Sequence, residues 1–334
     1  MRKSGIALVF LGLFLLTGAA LAPTYVYNAL AVMPANADIT VVATSSDGKP
    51  ATYFDLSTLK EVSAPLKSIT VVHGDPDAAA DAGEDVVVWD AYACTGPATT
   101  TCTSESLPLS GSRTLLALDA HTGQTVAWDG AYVESGGHRD DDPGIDGYVY
   151  KLPFNVAKRT YAWWNGDLGA TADLRYTGTA TIQGLDVYRF TQTIPPTKTG
   201  TIDLPGALAG SPQPTVTGDQ MVSSVLDVTV EPETGVAITR TLSIDNYVAV
   251  GGRRVLTTTR GTFEVDERTV TDTVDEYQPL ATELYLLRRG IPIGAGIAGL
   301  LATATGILLL TRAHPPTDRR TTRDVPSQPK KATR

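Results

Sequence analysis

Two long apolar segments, one near each end of the chain, limit what the remaining residues can form. The first covers 5–22, the second covers 291–310, and neither contains a charged residue. Each is close to the roughly 20 predominantly apolar residues that a bilayer-spanning helix needs. Because two spans return a chain to the side of the membrane on which it starts, residues 23–290 are predicted to form one domain on the opposite side.

The charges that flank these segments predict an orientation in the plasma membrane. Arg2 and Lys3 precede the first segment, and seven basic residues follow the second. Because Lys and Arg are in excess on the cytoplasmic side of membrane proteins, residues 1–4 and 311–334 are predicted to be cytoplasmic and residues 23–290 extracytoplasmic. The tail 311–334 is also rich in Pro and is predicted to be disordered.

A cleaved signal peptide is the alternative interpretation of residues 5–22. Residues 20–22 and 35–37 both resemble small-residue cleavage sites, although Pro23 directly follows the first of them. Cleavage would leave the chain held by the second apolar segment alone. The predicted location of the central domain is the same in both cases.

The charge of the central domain excludes one class of partner. The chain has 27 Lys and Arg and 36 Asp and Glu. Without residues 1–4 and 311–334, 18 basic and 34 acidic residues remain, a net charge of −16. Nucleic-acid binding needs clustered Lys and Arg, so no nucleic acid is expected as a partner. Membrane lipids are the expected partners, with other envelope proteins or a second copy of the chain as further candidates.

Cys94 and Cys102 are the only cysteines, and both lie in the predicted extracytoplasmic domain. The seven residues between them are Gly, Pro, Ala and Thr, which form a flexible loop. An oxidising compartment favours a disulfide between them, which would stabilise the fold by about 2.5 kcal/mol. A zinc site would need further ligands, and no His lies close to the pair in sequence.

Alternating apolar and polar residues predict a mainly β central domain. The segments that alternate are 39–44, 66–72, 86–92, 115–118, 185–190 and 255–270. Turn-forming pairs separate the strands, and Gln183-Gly184 is the clearest hairpin candidate. The pattern predicts a large antiparallel sheet, in a sandwich or a curved sheet, and leaves a barrel open.

A short pattern occurs twice and predicts two similar turns. Asp119 and Glu231 are each followed by two spacer residues, Thr-Gly and a strand. We expect Gly123 and Gly235 to adopt the left-handed conformation, and the acidic side chains to cap the turn backbone. By contrast, residues 195–218 contain five Pro, which predicts a long loop and not a central strand.

Two patterns that suggest chemistry are incomplete. Ser57-x-x-Lys60 and Lys198-Thr-Gly match two motifs of penicillin-binding proteins, but no Asn follows a Ser by two residues to complete the set. We therefore predict no catalytic residue and no cofactor. The densest carboxylate cluster is a weak calcium candidate, with a solvated acidic loop as the alternative. Its residues are Asp140, Asp141, Asp142 and Asp146.

Small residues recur every four positions along the second apolar segment. They are Gly290, Gly294, Ala298, Ala302 and Gly306. A face of small residues allows two helix backbones to approach closely in lipid. The predicted partner of this face is the first apolar segment or a second copy of the chain.

Five motifs in the central domain resemble a family of actinobacterial two-span envelope proteins of unknown function, sometimes labelled porin PorA-like. The motifs are DVVVWD (85–90), GYVYKLPF (147–154), KRTY (158–161), GLDVYRF (184–190) and VEPETG (230–235). The resemblance extends over nearly all of the chain from the first apolar segment to the second. It implies a two-span envelope protein and brings no catalytic residues.

The sequence predicts a non-catalytic role in the cell envelope, either holding or passing an apolar component or acting as a scaffold. A porin-like role is the alternative, although two apolar helices would retain the chain in the plasma membrane during export. A deep apolar cavity would favour ligand binding. An exposed apolar patch would favour scaffolding, and a cleft with converging polar groups would favour an enzyme.

Overall fold

The computed structural model describes residues 2–45, 49–99 and 109–312. These residues form two compact units. The described part of the first unit contains 2–25 and 287–312, and the second contains 26–286. The predicted tail beyond residue 312 lies outside the described residues.

Five α-helices occur among the described residues, together with short π-helical and 3-10 turns. They are α1 (Arg2–Leu21), α2 (Tyr27–Leu30), α3 (Pro76–Ala82), α4 (Glu267–Tyr285) and α5 (Ile291–Arg312). By length and composition, the helix that begins with α1 and the one that ends with α5 are apolar enough to cross a membrane. The predicted spans 5–22 and 291–310 fall within these two helices.

Helices α1 and α5 pack closely in the first unit through glycines. A Cβ atom on Gly306 would lie 2.7 Å from the carbonyl oxygen of Gly5, and one on Gly299 would lie 2.9 Å from that of Gly12. Thr303, between the two α5 glycines, also lies against Gly12. The two helix backbones therefore approach each other at two points seven residues apart.

The glycine contacts with α1 can be compared with the predicted four-residue stripe. Gly306 of the predicted set lies in close contact with α1, while a Cβ on Gly294 would meet nothing within 4 Å. With about 3.6 residues per turn, a four-residue step rotates about 40° around the helix, whereas a seven-residue step returns almost to the same face. The seven-residue spacing of Gly299 and Gly306 therefore places both on the face of α5 that contacts α1.

The second unit is built on one antiparallel sheet of fifteen strands. The strands are β1 (Asp38–Ser45), β2 (Ala51–Asp55), β3 (Lys60–Ala64), β4 (Leu66–Gly74), β5 (Val86–Pro97), β6 (Ser110–Asp119), β7 (Thr125–Val126), β8 (Tyr132–Ser135), β9 (His138–Asp140), β10 (Tyr161–Asn165), β11 (Ala170–Ile182), β12 (Leu185–Pro205), β13 (Thr215–Val230), β14 (Ala237–Val250) and β15 (Arg253–Val265). The main order is β10-β11-β12-β13-β14-β15-β1-β4-β5-β6-β8-β9. The mainly β, antiparallel fold predicted from sequence is confirmed.

A short segment joins two distant parts of this sheet. Tyr148 forms an antiparallel bridge with Gln124, beside β7, and a parallel bridge with Trp163 on β10. The backbone N–H of Tyr148 donates to the carbonyl oxygen of Ala162 at 2.9 Å, and that of Thr125 donates to Gly147 at the same distance. The sheet therefore curves back on itself, which favours the curved sheet over the sandwich.

The predicted hairpin at Gln183-Gly184 is present. Ile182 pairs with Leu185, and both turn residues have positive φ, 48° and 87°. This is the conformation that a two-residue type I′ hairpin requires.

The predicted loop 195–218 is wrong, because most of it forms strands. β12 continues to Pro205 and pairs with β13 almost throughout. Beyond Gln192, β12 has no partner on its β11 side. Pro195 and Pro196 fall at a bulge in the pairing with β13. An edge strand with a bulge tolerates Pro, because the missing N–H groups are not needed for pairing.

The strand predicted over 255–270 is also partly wrong. β15 ends at Val265, and Asp266 caps the N-terminus of α4 by accepting a hydrogen bond from the Thr269 N–H at 2.7 Å. The buried residues Val270, Val274, Ala281 and Leu284 follow helical spacing. Helix α4 was not predicted from the sequence.

Candidate ligand-binding cavity

A cavity of about 400 Å³ lies within the second unit, between the inner face of the sheet and α4. Strands β1, β4, β13 and β14 contribute to its wall, together with the segments 32–34 and 149–154. Most of the side chains that line it are apolar, among them Val72, Trp89, Leu226, Val228 and Ile238. The cavity therefore provides an apolar interior next to the core of the sheet.

Strands β4 and β5, which contribute Val72 and Trp89 to the cavity, carry polar side chains on their other face, because side chains alternate along a strand. A groove on that face is lined by His73, Asp90, Tyr92, Arg113 and Glu134. The Arg113 guanidinium donates to both oxygens of Asp90. This ion pair raises the pKa of Arg113. The outer groove is thus polar, and its arginine is paired.

Two similar turns contact the segment 149–154, which lines one end of the cavity. The repeated sequence pattern predicts the turns themselves. The Asp119 carboxylate accepts hydrogen bonds from the backbone of His121 and Thr122. The Glu231 carboxylate accepts from the backbone N–H groups of Glu233 and Thr234 in the same way, at 2.9 and 2.7 Å. The capping role predicted for both acidic residues is confirmed.

The glycines of these turns have the predicted left-handed conformation and contact the same short segment. Gly123 has a φ of 76° and Gly235 a φ of 77°. The Leu152 N–H donates to the Gly235 carbonyl at 2.9 Å. A Cβ on Gly123 would lie 3.1 Å from Cγ of Lys151, and one on Gly235 would lie 2.5 Å from the Pro153 carbonyl oxygen. The Glu231 turn therefore holds the backbone next to Lys151, and the Asp119 turn lies against the Lys151 side chain.

Lys151 is the most unusual side chain of the cavity wall. It is 6% exposed, and its Nζ has no hydrogen-bond partner among the described residues. The ammonium lies 3.7 Å from the centre of the Phe154 ring. Burial lowers the pKa of Lys151 to about 7, and the charge of Glu231 opposes this shift. A cation without an acceptor thus faces an apolar cavity.

Arg240 is a second cation on the same cavity wall. It lies on β14 directly opposite Val228, and both residues line the cavity. Its side chain is exposed, unlike that of Lys151. Desolvation lowers the pKa of Arg240, and the charge of Asp167 opposes the shift. The Asp167 carboxylate itself accepts a hydrogen bond from Asn246.

The acidic side chains of the cavity wall are exposed. Asp38 lies 3.3 Å from the imidazole of His73, and Asp272 lies 3.8 Å from Arg268 within α4. Glu276 lies on the same helix and is also exposed. These carboxylates are therefore in contact with solvent, whereas Lys151 is buried.

The family model for porin PorA matches residues 4–308. The chain belongs to the porin PorA family. No curated protein is significantly similar to it in sequence.

The motifs that carry the family resemblance converge on the cavity. Trp89 belongs to the first motif, Tyr150, Lys151 and Phe154 to the second, and Thr234 to the last, and all five line the cavity. The Trp89 and Tyr150 rings lie 5.7 Å apart, and the Trp89 indole donates to the Pro34 carbonyl at 3.2 Å. Segments far apart in this porin PorA family member therefore meet at one site.

The structure does not bring the calcium candidates together as a metal site. Among the described residues, no group of three or more His, Cys, Asp or Glu is arranged to hold a metal ion. Asp141 pairs with Arg139 at 2.6 Å, and the carboxylate of Asp140 accepts a hydrogen bond from the Asp142 N–H. The aspartates therefore interact locally with their own loop.

The disulfide stays a prediction. Cys94 is buried on β5, with 2% of its surface exposed. Cys102 lies outside the described residues.

The residues of the two incomplete enzyme motifs have structural partners. The N–H and hydroxyl of Ser57 both donate to the carboxylate of Asp55, in the turn between β2 and β3. Lys198 lies on β12 and pairs with Asp219 on β13 at 2.5 Å. None of Ser57, Lys60 and Lys198 lines the cavity.

Sequence reasoning missed the cavity and the role of Lys151. Its burial depends on contacts with two turns that begin at Asp119 and Glu231, far away in the chain. The local signal was a lone Lys inside the apolar run GYVYKLPF. A charged residue in such a run can still be exposed on a strand, so this signal is ambiguous.

Proposed function

We propose that this member of the porin PorA family binds an apolar or amphiphilic ligand of the cell envelope in its cavity, without catalysing a reaction. The cavity carries the proposal. Its volume of about 400 Å³ falls within the roughly 300–1,000 Å³ of small-molecule sites, and its lining is mostly apolar with a few polar groups. This is the arrangement expected of a ligand-binding protein and not of a scaffold with a filled core.

A non-catalytic role is supported by the chemistry of the cavity wall. Among the described residues, the wall contains no Ser, Cys or His. The hydroxyl of Thr234, one of the lining residues, donates to Glu231 at 2.6 Å and serves the turn. A Ser or Cys nucleophile is activated by an adjacent general base such as His, and this wall offers no such pair.

The location is part of the same proposal. Two helices of suitable length and composition, with basic residues before the first and after the second, support a two-span protein with both ends in the cytoplasm. The cavity would then face the extracytoplasmic side.

Pore formation is the second candidate, because the family is named for porins. A membrane barrel carries apolar residues outside and polar residues inside. Here the core packs against apolar residues such as Phe190 and Val228, while the intervening Arg189, Thr191 and Asp227 lie on the other face. This alternation favours an aqueous surface, so ligand binding is the better supported function.

Photolabelling of the full chain in lipid nanodiscs tests the proposal. The probe is a fatty alcohol with a diazirine near the end of its tail, and labelled peptides are mapped by mass spectrometry. We expect labels in 32–41, 149–154 and 226–240, besides nonspecific labels in α1 and α5. The two helices act as an internal measure of lipid contact.

Thr70→Trp provides a variant that fills the cavity. Thr70 is half-buried on the cavity wall, and Val71 lies next to it on the outer face of β4. Thr70→Trp should suppress labelling of the cavity peptides at least fivefold, while Val71→Trp should not. Equal labelling in both variants, or labels confined to the two helices, would refute ligand binding in the cavity.

A further inference from the structure

We propose that the ligand of this cavity carries an acidic group, a carboxylate or a phosphate, that binds the ammonium of Lys151. The inference rests on the proposed function and names the chemical class of its ligand as an anionic amphiphile. The buried and unpartnered Nζ of Lys151 is the observation that leads to it.

A buried ammonium without an acceptor is unfavourable unless a partner is supplied. Burying an unpaired charge costs free energy, and the usual compensation is a hydrogen-bonded counter-charge. Among the described residues, Lys151 forms no ion pair within 4 Å and has only the Phe154 ring beside it. An anionic oxygen in the cavity would provide the missing acceptor.

The nearest acidic candidate inside the protein is already engaged. The Glu231 carboxylate accepts hydrogen bonds from two backbone N–H groups and from the hydroxyl of Thr234. It caps its turn and raises the pKa of Lys151 only from a distance. The Glu231 carboxylate therefore does not act as the hydrogen-bond acceptor of the Lys151 ammonium.

The backbone contacts keep this ammonium in place for a ligand. Gly123 lies against the Lys151 side chain, and the Leu152 N–H donates to the Gly235 carbonyl. A charged group held in position loses little conformational entropy when it binds, which favours affinity. The Nζ itself has almost no accessible surface, so an anionic oxygen reaches it when the side chains around it shift.

The distribution of charge around the cavity also favours an anion. Arg240 lines the same wall, and among the described residues it forms no ion pair within 4 Å. The acidic residues Asp38, Asp272 and Glu276 are exposed, and Asp272 lies 3.8 Å from Arg268. Lys151 is thus the buried charged residue of the cavity wall.

The surroundings of Lys151 favour an amphiphile over a free anion. Phe154, Met33 and Trp89 line the cavity with it, so an anion would share the site with apolar surface. An apolar tail covers that surface, and burying it contributes roughly 25 cal/mol per Å². A ligand with one acidic end and an apolar tail satisfies both parts of the wall.

Two photoprobes with the same diazirine tail test the inference on the full chain in nanodiscs at pH 6. One ends in a carboxylate, the other in a hydroxyl. A charge-assisted hydrogen bond contributes more than a neutral one, so wild-type cavity peptides should label about tenfold or more in favour of the acid. Lys151→Met should reduce this ratio to about one while keeping alcohol labelling.

Matched variants separate the charge from the shape of the side chain. Lys151→Arg keeps a cation and should retain a preference for the acid. Lys198→Met removes an exposed lysine that pairs with Asp219 and should leave the ratio unchanged. A preference for the acid that survives in Lys151→Met would overturn the inference.

Two further outcomes are distinct. Absence of cavity labelling by both probes in the wild type would refute the proposed function itself, and the inference with it. Inorganic phosphate at 100 times the probe concentration should not displace the acid probe. Displacement by phosphate alone would overturn the assignment of an amphiphile, because a free anion would then be sufficient. A phosphomonoester probe with the same tail should label at least as well as the carboxylate.

Discussion

The cavity and the outer groove lie on opposite faces of β4 and β5. They differ in whether the cation that each contains has an acceptor within the protein. In the outer groove, Arg113 is half exposed and forms a two-point ion pair with Asp90, which raises its pKa. In the cavity, Lys151 is buried without an acceptor, and burial lowers its pKa to about 7. The first cation is satisfied by the protein, and the second is not.

The difference between the paired Arg113 and the unpaired Lys151 supports ligand binding in the cavity and not in the outer groove. A surface ion pair contributes little to stability, and Arg113 already has a counter-ion in Asp90. A buried and unpaired ion lowers stability and gains the most from a partner that arrives from outside. Proteins commonly break local rules of stability at functional sites, and we propose that Lys151 is such a place.

The largest effect should come from the turn that holds Lys151. Gly235→Ala puts a Cβ at a φ of 77° against the Leu152 and Pro153 carbonyl oxygens. We expect it to lower the free energy of unfolding by about 2–4 kcal/mol and to reduce cavity labelling. Hydrogen exchange of strand amides in the full chain measures the change.

Gly136 in the outer groove is the matched control for this prediction. Its φ is 60°, and a Cβ there would meet nothing within 4 Å. Gly136→Ala should therefore cost only about 1 kcal/mol, the penalty of the left-handed conformation. Equal losses in the two variants would show that Gly235 contributes only through its backbone conformation.

The next effect compares the two cations directly. Lys151→Met removes a buried unpaired charge and should raise the free energy of unfolding of the ligand-free chain by about 1–3 kcal/mol at pH 6. Arg113→Met removes a partly exposed ion pair and should lower it by at most about 1 kcal/mol. Hydrogen exchange on ligand-free chains measures both. Destabilisation by Lys151→Met would contradict the assignment of Lys151 as an unpaired cation.

A further effect is a pH dependence specific to Lys151. Below pH 7 the lysine is protonated in both folded and unfolded chains, so its destabilising effect is constant. Between pH 7 and about 10.4 the unfolded chain holds a proton that the folded chain lacks, so wild-type stability should rise relative to Lys151→Met. The slope is at most about 1.4 kcal/mol per pH unit.

The comparison with Lys151→Met isolates this titration from the other groups near the cavity. Arg240 and the exposed carboxylates on β1 and α4 are present in both chains, so what differs is the titration of Lys151 and its coupling to Glu231. A difference between the two chains that stays flat from pH 7 to 9.5 would mean that the ammonium keeps an ordinary pKa.

Much of the fold follows from local patterns in the sequence. The alternation at 39–44 and 66–72 predicts β1 and β4, and Gln183-Gly184 predicts its hairpin, because the signals lie within a few residues. The turns at Asp119 and Glu231 were predicted for the same reason. Each of these elements is determined by neighbours in the chain.

The errors arise where partners in the fold change the meaning of a local pattern. Pro195 is compatible with β12 only because that strand has become an edge, which depends on where β11 begins to pair. Val270 continues an alternating run from β15, yet the spacing of Val270, Val274, Ala281 and Leu284 is helical. A search for helical spacing of apolar residues in this segment would have predicted α4.

The candidate site was predictable only in its parts. Five family motifs are recognised in the sequence, but the convergence of three of them on the cavity depends on strand order and on the contacts of Lys151 with distant turns. Whether a lysine in an apolar run is buried or exposed is decided by those contacts. The burial of Lys151 is therefore a property of the assembled sheet.

Native mass spectrometry of the full chain, released from detergent micelles, is the most direct test of whether the cavity binds an acidic amphiphile. We predict one bound amphiphile per chain, seen as an added mass that extracts as an acidic lipid. The added mass should be lost in Thr70→Trp but kept in Val71→Trp. A chain that keeps the same added mass in both variants, or that carries none although it is folded, would contradict it.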